Sequence, residues 1–162
     1  SEFFAGAISE VGALGLMQVM PRTAKEMAGK LEIGYSRSKM LKDPDYNAKI
    51  DIRYLEELTE EFGNSLVHIA AAYNAGPSRV HAWTAKLGDP RLPEVDVIDW
   101  IEQIPFSETR NYVMRVTESL PNYRARLAGQ AVPLRFLQEL KGAYSPEPIF
   151  AAPAVSPRPI SR

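Results

Sequence analysis

The sequence contains no cysteine. Disulfides and thiolate metal sites are therefore excluded, while the compartment stays open, because many envelope proteins also lack cysteine. Histidine is nearly absent. Only His68 and His81 occur, and neither stands in a metal-ligand pattern. His68 lies on an apolar helical stretch and reads as a core or edge residue. No apolar run reaches the roughly 18 residues of a membrane span. Net charge is −1, which removes the basic footprint of a nucleic-acid binder or a generally cationic membrane binder. The glycines between residues 6 and 15 form no phosphate loop, since they lack both a Lys-Ser/Thr ending and a preceding strand. The chain begins at Ser1 rather than Met, so a missing leader carries no information.

What is present is helical patterning within a length of 162 residues that suits one domain. Pro21 suits the first turn of a helix through "PRTAKEMAGKL", with Ala24, Met27, Ala28 and Leu31 on one face. "GYSRSKMLKDPDY" is polar, is interrupted by Pro44, and reads as a loop. Asn47 is the expected N-cap of a helix carrying Ile50, Tyr54, Leu55, Leu58 and Phe62, closed by Gly63. Leu66, Ile69, Ala70 and Tyr73 mark a short apolar helix, and Asn74-Ala75-Gly76-Pro77 a turn into another with Val80 and Trp83. "KLGDPRLPEVD" is a loop. A helix through "VIDWIEQI" ends at Pro105, and Ser107 is the expected N-cap of the next, with Tyr112, Val113, Val116 and Leu120 on its apolar side. There is no internal repeat and no strand pair. The expected class is all-α.

Three stretches combine small-residue turns with polar and aromatic groups. The first is "SEVGALGLMQVMP", the second "AAAYNAGPSRV", the third "DWIEQIPFSETRNYV". Each alone is explained by a turn and core packing. Together and in this order, Ser1, Ser9, Gly12-Ala13-Leu14-Gly15-Leu16-Met17-Gln18, Met20-Pro21, Ala72 to Pro77, and Glu102 with Ile104 to Val113 resemble the SLT catalytic domain of the soluble lytic murein transglycosylases. The resemblance covers roughly residues 1 to 125. It implies a lysozyme-like (goose-type) multi-helix domain over 1–128. A short helix near "PLRFLQEL" is expected within 129–142. The segment 143–162, with five prolines and no apolar period, is expected to be a disordered tail.

The same resemblance implies cleavage of the β-1,4 bond between N-acetylmuramic acid and N-acetylglucosamine in peptidoglycan, without water. One Glu protonates the glycosidic oxygen and then acts as base toward the sugar's own C6 hydroxyl, closing a 1,6-anhydro ring. This departs from the two-carboxylate glycosidase scheme. The acid needs a pKa raised toward neutrality, which an apolar pocket supplies. The family pattern includes no metal and no cofactor. Its partner is the peptidoglycan glycan strand, and its place is the periplasmic side of a bacterial envelope. Carried over by motif, the substrate-binding residues are Ser9, Gln18, Met20, Thr23, Tyr73, Asn74, Glu102 and Tyr112. Gln18 and Ser9 suit sugar hydroxyl and acetamido groups, Met20 offers an apolar face, Tyr73 can donate its hydroxyl, and Glu102 can accept from sugar hydroxyls. Arg110 and Glu108 are expected to cap and brace the third motif.

The family's acid stands immediately before the Ser that is Ser1 here, at a position outside this chain. Glu2 does not replace it. Two positions along a helix is about 200° around the axis, so Glu2 faces the other way. Glu10 does not match the acid's position either. The expectation is a domain whose catalytic Glu precedes Ser1, with this chain alone inactive or nearly so. The alternatives are a non-catalytic peptidoglycan-binding module and a muramidase of the same fold.

Overall fold

The computed structural model describes residues 11–12, 19–119, 138 and 140–142. All regular structure among them is helical, as the periodicity predicts. The helices are α1 (Pro21–Lys30), α2 (Arg37–Lys42), α3 (Pro44–Phe62), α4 (Leu66–Ala75), α5 (Pro77–Leu87), α6 (Val97–Glu102) and α7 (Ser107–Glu118). No helix among the described residues is long and apolar enough to cross a membrane.

The centre of the fold is α4. Every residue from Leu66 to Tyr73 is buried, which is the pattern of a helix covered on all sides. It packs on α3, α5 and α7, while α1 and α2 close on α3. Trp100, Tyr112, Met27, Ile50, Leu58, Leu66, Ile69, Ile101 and Ile104 are among the largest fully buried side chains. Burying each such residue contributes roughly 1.5–3 kcal/mol. His68 belongs to this core. Its ring packs beside that of Phe62, meets the edge of Trp100, and shares a 3.0 Å hydrogen bond between Nε2 and Thr84 Oγ1.

Three boundaries differ from the sequence expectation. The polar stretch read as a loop contains α2, a six-residue helix capped by Ser36, whose side chain accepts from Lys39 N. Pro44 starts α3 instead of interrupting it. Asp43 is the cap, accepting from the backbone N–H of Asp45 and Tyr46, and proline at the first turn costs no hydrogen bond. Asn47 is therefore inside α3, where its Nδ2 donates to Met40 O at 2.9 Å. At α7 the cap position is Phe106, and Ser107 is already helical.

The described part of the expected C-terminal helix has helical backbone and packs on this body. Leu140 is fully buried. Lys141 Nζ donates to Leu92 O at 3.0 Å and to Val95 O at 2.5 Å. The segment 143–162 lies outside the described residues.

Candidate active site

A groove of about 640 Å³ opens where the end of α4, the start of α5 and the start of α7 meet. Gly76 makes the meeting possible. Its φ of 93° and ψ of 147° belong to a region reserved for glycine. The chain leaves α4 there and re-enters a helix at Pro77, so Tyr73, Asn74 and Arg79 face one space. Met20, just before α1, supplies another wall, and Phe106, Glu108 and Thr109 close the far side.

The floor is rigid. Tyr73 is buried, and its hydroxyl donates to the carboxylate of Asp51, itself buried on α3. Burial holds the Asp51 carboxyl above the usual carboxylate range, with the Tyr73 bond pulling the other way. Burial, then the bond to Asp51, pushes the Tyr73 phenol far up. Tyr54 and Tyr112 flank the Tyr73 ring at 5.8 and 6.2 Å. Gly12 lies against the same carboxylate, where a Cβ would come within 3.0 Å of Asp51 Oδ2. Close approach gives this first-motif glycine a physical reason.

The rim is polar. Thr109 Oγ1 donates to Asn74 Oδ1 at 2.7 Å and fixes the orientation of that amide. The Arg79 guanidinium lies 4.4 Å from the centre of the Phe106 ring, which meets the Trp83 ring edge-on at 5.5 Å. Such a contact contributes about 0.5–1 kcal/mol at exposed sites and holds the cation in one place. Glu108, the second residue of α7, is exposed to the groove. A carboxylate, an oriented amide, a fixed cation and apolar Met20 and Phe106 make a surface suited to a polyhydroxylated ligand with an apolar face.

Of the residues carried over by motif, Met20, Tyr73 and Asn74 line this groove together. Thr23 is half-buried in the first turn of α1, outside this lining. Two expected residues fall elsewhere. Glu102 is exposed at the end of α6 and does not line the groove; Glu108 does. Tyr112 is in the core with no exposure, its hydroxyl donating to Val11 O at 2.7 Å. It supports Tyr73 from behind. Arg110 braces the third motif as expected, Nη1 donating to Ile104 O at 3.1 Å. Ser9, Gln18, Glu2 and Glu10 lie outside the described residues.

The sequence model of the Transglycosylase SLT domain family matches residues 1–91. The chain belongs to this family. It is 44% identical over 117 residues to the soluble lytic murein transglycosylase of Escherichia coli K12, covering 72% of this chain and 18% of that protein. It is 28% identical over 143 residues to the membrane-bound lytic murein transglycosylase C of Haemophilus influenzae, covering 78% of this chain and 40% of the relative. Among solved structures, the 70 kDa soluble lytic transglycosylase of Escherichia coli aligns with a TM-score of 0.57 at 35% identity, over 77% of this chain and 18% of that one. An inactive mutant of lytic transglycosylase Slt from Pseudomonas aeruginosa aligns at 0.55 with 38% identity, over 72% and 18%. The fold is thus the lysozyme-like all-α fold of the SLT transglycosylases. The SLT chain spans about a fifth of the length of its soluble relatives.

Sequence reasoning missed two members of this SLT site. Asp51 sits in the middle of a helix whose other landmarks are apolar, and only tertiary contact reveals its bond to Tyr73. Glu108 has a usable signal. It stands two residues after Phe106 at a helix start, where an acidic side chain is stabilised by the helix end and remains open to a ligand.

Proposed function

We propose that this SLT chain is the glycan-cleaving domain of a peptidoglycan lytic transglycosylase acting on the periplasmic side of a bacterial envelope. The observation that carries the reading is the groove itself: Asn74 oriented by Thr109, Glu108 at the rim, and Tyr73 locked to Asp51, all around the Tyr-Asn-Ala-Gly-Pro turn. The family match and the names of the relatives support the same reading.

In this mechanism Glu108 and Asn74 hold sugar hydroxyl and acetamido groups, with Ser9 and Gln18 adding contacts from the first motif. Met20 covers the apolar face of a sugar ring. Thr23 supports the α1 side. Tyr73 gives its O–H to Asp51 and so shapes the floor of the groove. The acid is a Glu immediately before Ser1. Its proton passes to the glycosidic oxygen as the bond to the muramic acid C1 breaks. The resulting carboxylate takes the proton of the C6 hydroxyl, whose oxygen bonds C1. The Glu ends protonated again and no water is consumed.

The test is to read the gene upstream and express the longer protein. A Glu codon before Ser1, together with release of 1,6-anhydromuropeptides from murein sacculi, is the expected result. Products one water heavier would indicate a hydrolase. A different residue at that position, with no product released, would overturn the reading.

A further inference from the structure

Asp51 is a buried carboxylate without a cation. It is 6% exposed in the middle of α3 and makes no ion pair among the described residues. It lies one hydrogen bond behind the groove, because Tyr73 lines the groove and donates its hydroxyl to Asp51 Oδ1. A buried charge without a counter-ion is costly. Holding a phenol in place does not require one, since a neutral amide oxygen accepts the same bond. The bond to Tyr73 therefore accounts for an acceptor at position 51 and leaves its charge unexplained.

The surroundings keep that charge on Asp51. The titratable groups packed around the pair are Tyr112 on α7, stacked on the Tyr73 ring, and Tyr54 on α3, tilted against it. Burial, then the bond to Asp51, pushes the Tyr73 phenol far up. Burial, then the Asp51 charge, pushes the Tyr112 phenol up against the pull of Arg115. Burial, with the Glu61, Glu57 and Glu26 carboxylates, raises Tyr54 to about 12. All three phenols hold their protons at neutral pH, so none gives one to Asp51. The first motif presents Gly12, without a side chain, to Asp51 Oδ2.

We propose that Asp51 is a positioning residue acting through Tyr73, and that its negative charge behind the groove floor stabilises the positive charge growing on the sugar ring as the glycosidic bond breaks. The inference rests on the transglycosylase reading of the groove. One Glu can move the proton, but the muramic acid C1 gains oxocarbenium character as its bond to the leaving oxygen stretches. Two-carboxylate glycosidases meet that charge with their second carboxylate. Here Asp51 meets it from behind Tyr73. The phenol keeps the carboxylate out of bonding distance of C1 and leaves that carbon to the C6 oxygen. A fixed charge in a site poor in water acts without reorganising.

Asp51→Asn keeps an acceptor for the Tyr73 hydroxyl and removes the charge. In the full-length protein at pH 7 it is expected to lower kcat on murein about tenfold with KM unchanged. That is the effect of a unit charge acting over roughly 10 Å at an effective dielectric near 20. The ratio of parent to variant kcat should shrink toward one as pH falls through the Asp51 pKa, which burial places above 3.8. Below it the parent's carboxyl is neutral too. A ratio constant with pH, an unchanged kcat, or a change in KM alone overturns the proposal. Asp51→Ser, a smaller uncharged acceptor, repeats the measurement and should match. A second test does not need turnover. An N-acetylglucosamine oligosaccharide ending in a protonated iminosugar, and its neutral lactam counterpart, are titrated into the parent and Asp51→Asn. About tenfold weaker binding of the cationic probe alone is expected. An equal change for both probes, or none, overturns the proposal. If the parent releases no anhydromuropeptides, the transglycosylase reading fails, and the two probes still decide whether Asp51 acts on positive charge in the groove.

Discussion

At the scale of single residues, the groove and the core make opposite demands on charge. Glu108 is exposed at the groove, and under the proposed function its carboxylate accepts from sugar hydroxyls, each charged hydrogen bond being worth about 1.5–3 kcal/mol. Glu108→Gln in the full-length protein is therefore expected to lower kcat/KM on murein by roughly ten- to a hundredfold with an unchanged thermal transition. A loss of activity matched by a loss of folded protein would remove Glu108 from the site. His68 shows the other demand. Burial, with a smaller contribution from Arg91 and against the pull of Asp89, lowers its pKa from 6.5 to about 4. Its Nδ1 has no hydrogen-bond partner among the described residues. The unfolded chain binds a proton here below pH 6.5, whereas the folded chain does so only near 4. Stability is then complete above pH 6.5 and falls as pH drops toward 4, by about 3 kcal/mol from this residue. Urea titrations at pH 7 and pH 4.5 should show a shallower acid loss for His68→Gln than for the parent. Equal slopes would mean that His68 titrates normally.

At the scale of elements, what is legible in the sequence follows from local chemistry. Proline at the first turn locates the starts of α1 and α5, glycine marks the end of α4, and apolar spacing chooses the buried faces. The turn holding Tyr73 and Asn74 is legible for the same reason, since a few consecutive residues encode it. The helix α2 is not, because none of its six residues is fully buried and Met40 alone packs partly against the core, which leaves no apolar period to read. The start of α3 is ambiguous because a proline interrupts a helix or begins one depending on the residue before it, and Asp43 is the deciding cap. Asp51 is illegible as a partner because its role depends on which helices meet, whereas Glu108 carries only the local signal of an acidic residue in a first turn. The junction itself yields a prediction. Among the described residues nothing lies within 4 Å of where a methyl group at Gly76 would sit, so Gly76→Ala meets no clash with them. Its cost is conformational alone, about 1–3 kcal/mol for a non-glycine residue in that region. Because Asn74 and Arg79 flank the turn, activity should fall more than stability suggests, and loss of both in proportion would argue against a positioning role for the turn.

At the scale of the whole molecule, the described C-terminal residues connect to the body far from the groove. Leu140 joins the core, Lys141 reaches the 88–96 loop, and Gly142 sits so close to the start of α4 that a Cβ would lie 2.4 Å from Ser65 N. Ser65 caps the start of α4 and Asn74 lies near its end, a separation of roughly 14 Å at about 1.5 Å per residue. The docking of this segment therefore supports the helix that carries the site without touching the site. Leu140→Ala should lower the stability of the full-length protein by about 2–5 kcal/mol through the cavity it leaves, while kcat/KM per folded molecule stays the same below the transition. Gly142→Ala should also destabilise, because both the backbone contact and the φ of 63° oppose a side chain. Denaturant midpoints and murein cleavage measured on the same samples separate the two effects. A Leu140→Ala protein of unchanged stability would mean that the segment does not dock, and one of unchanged stability with lost activity would place it in the groove instead.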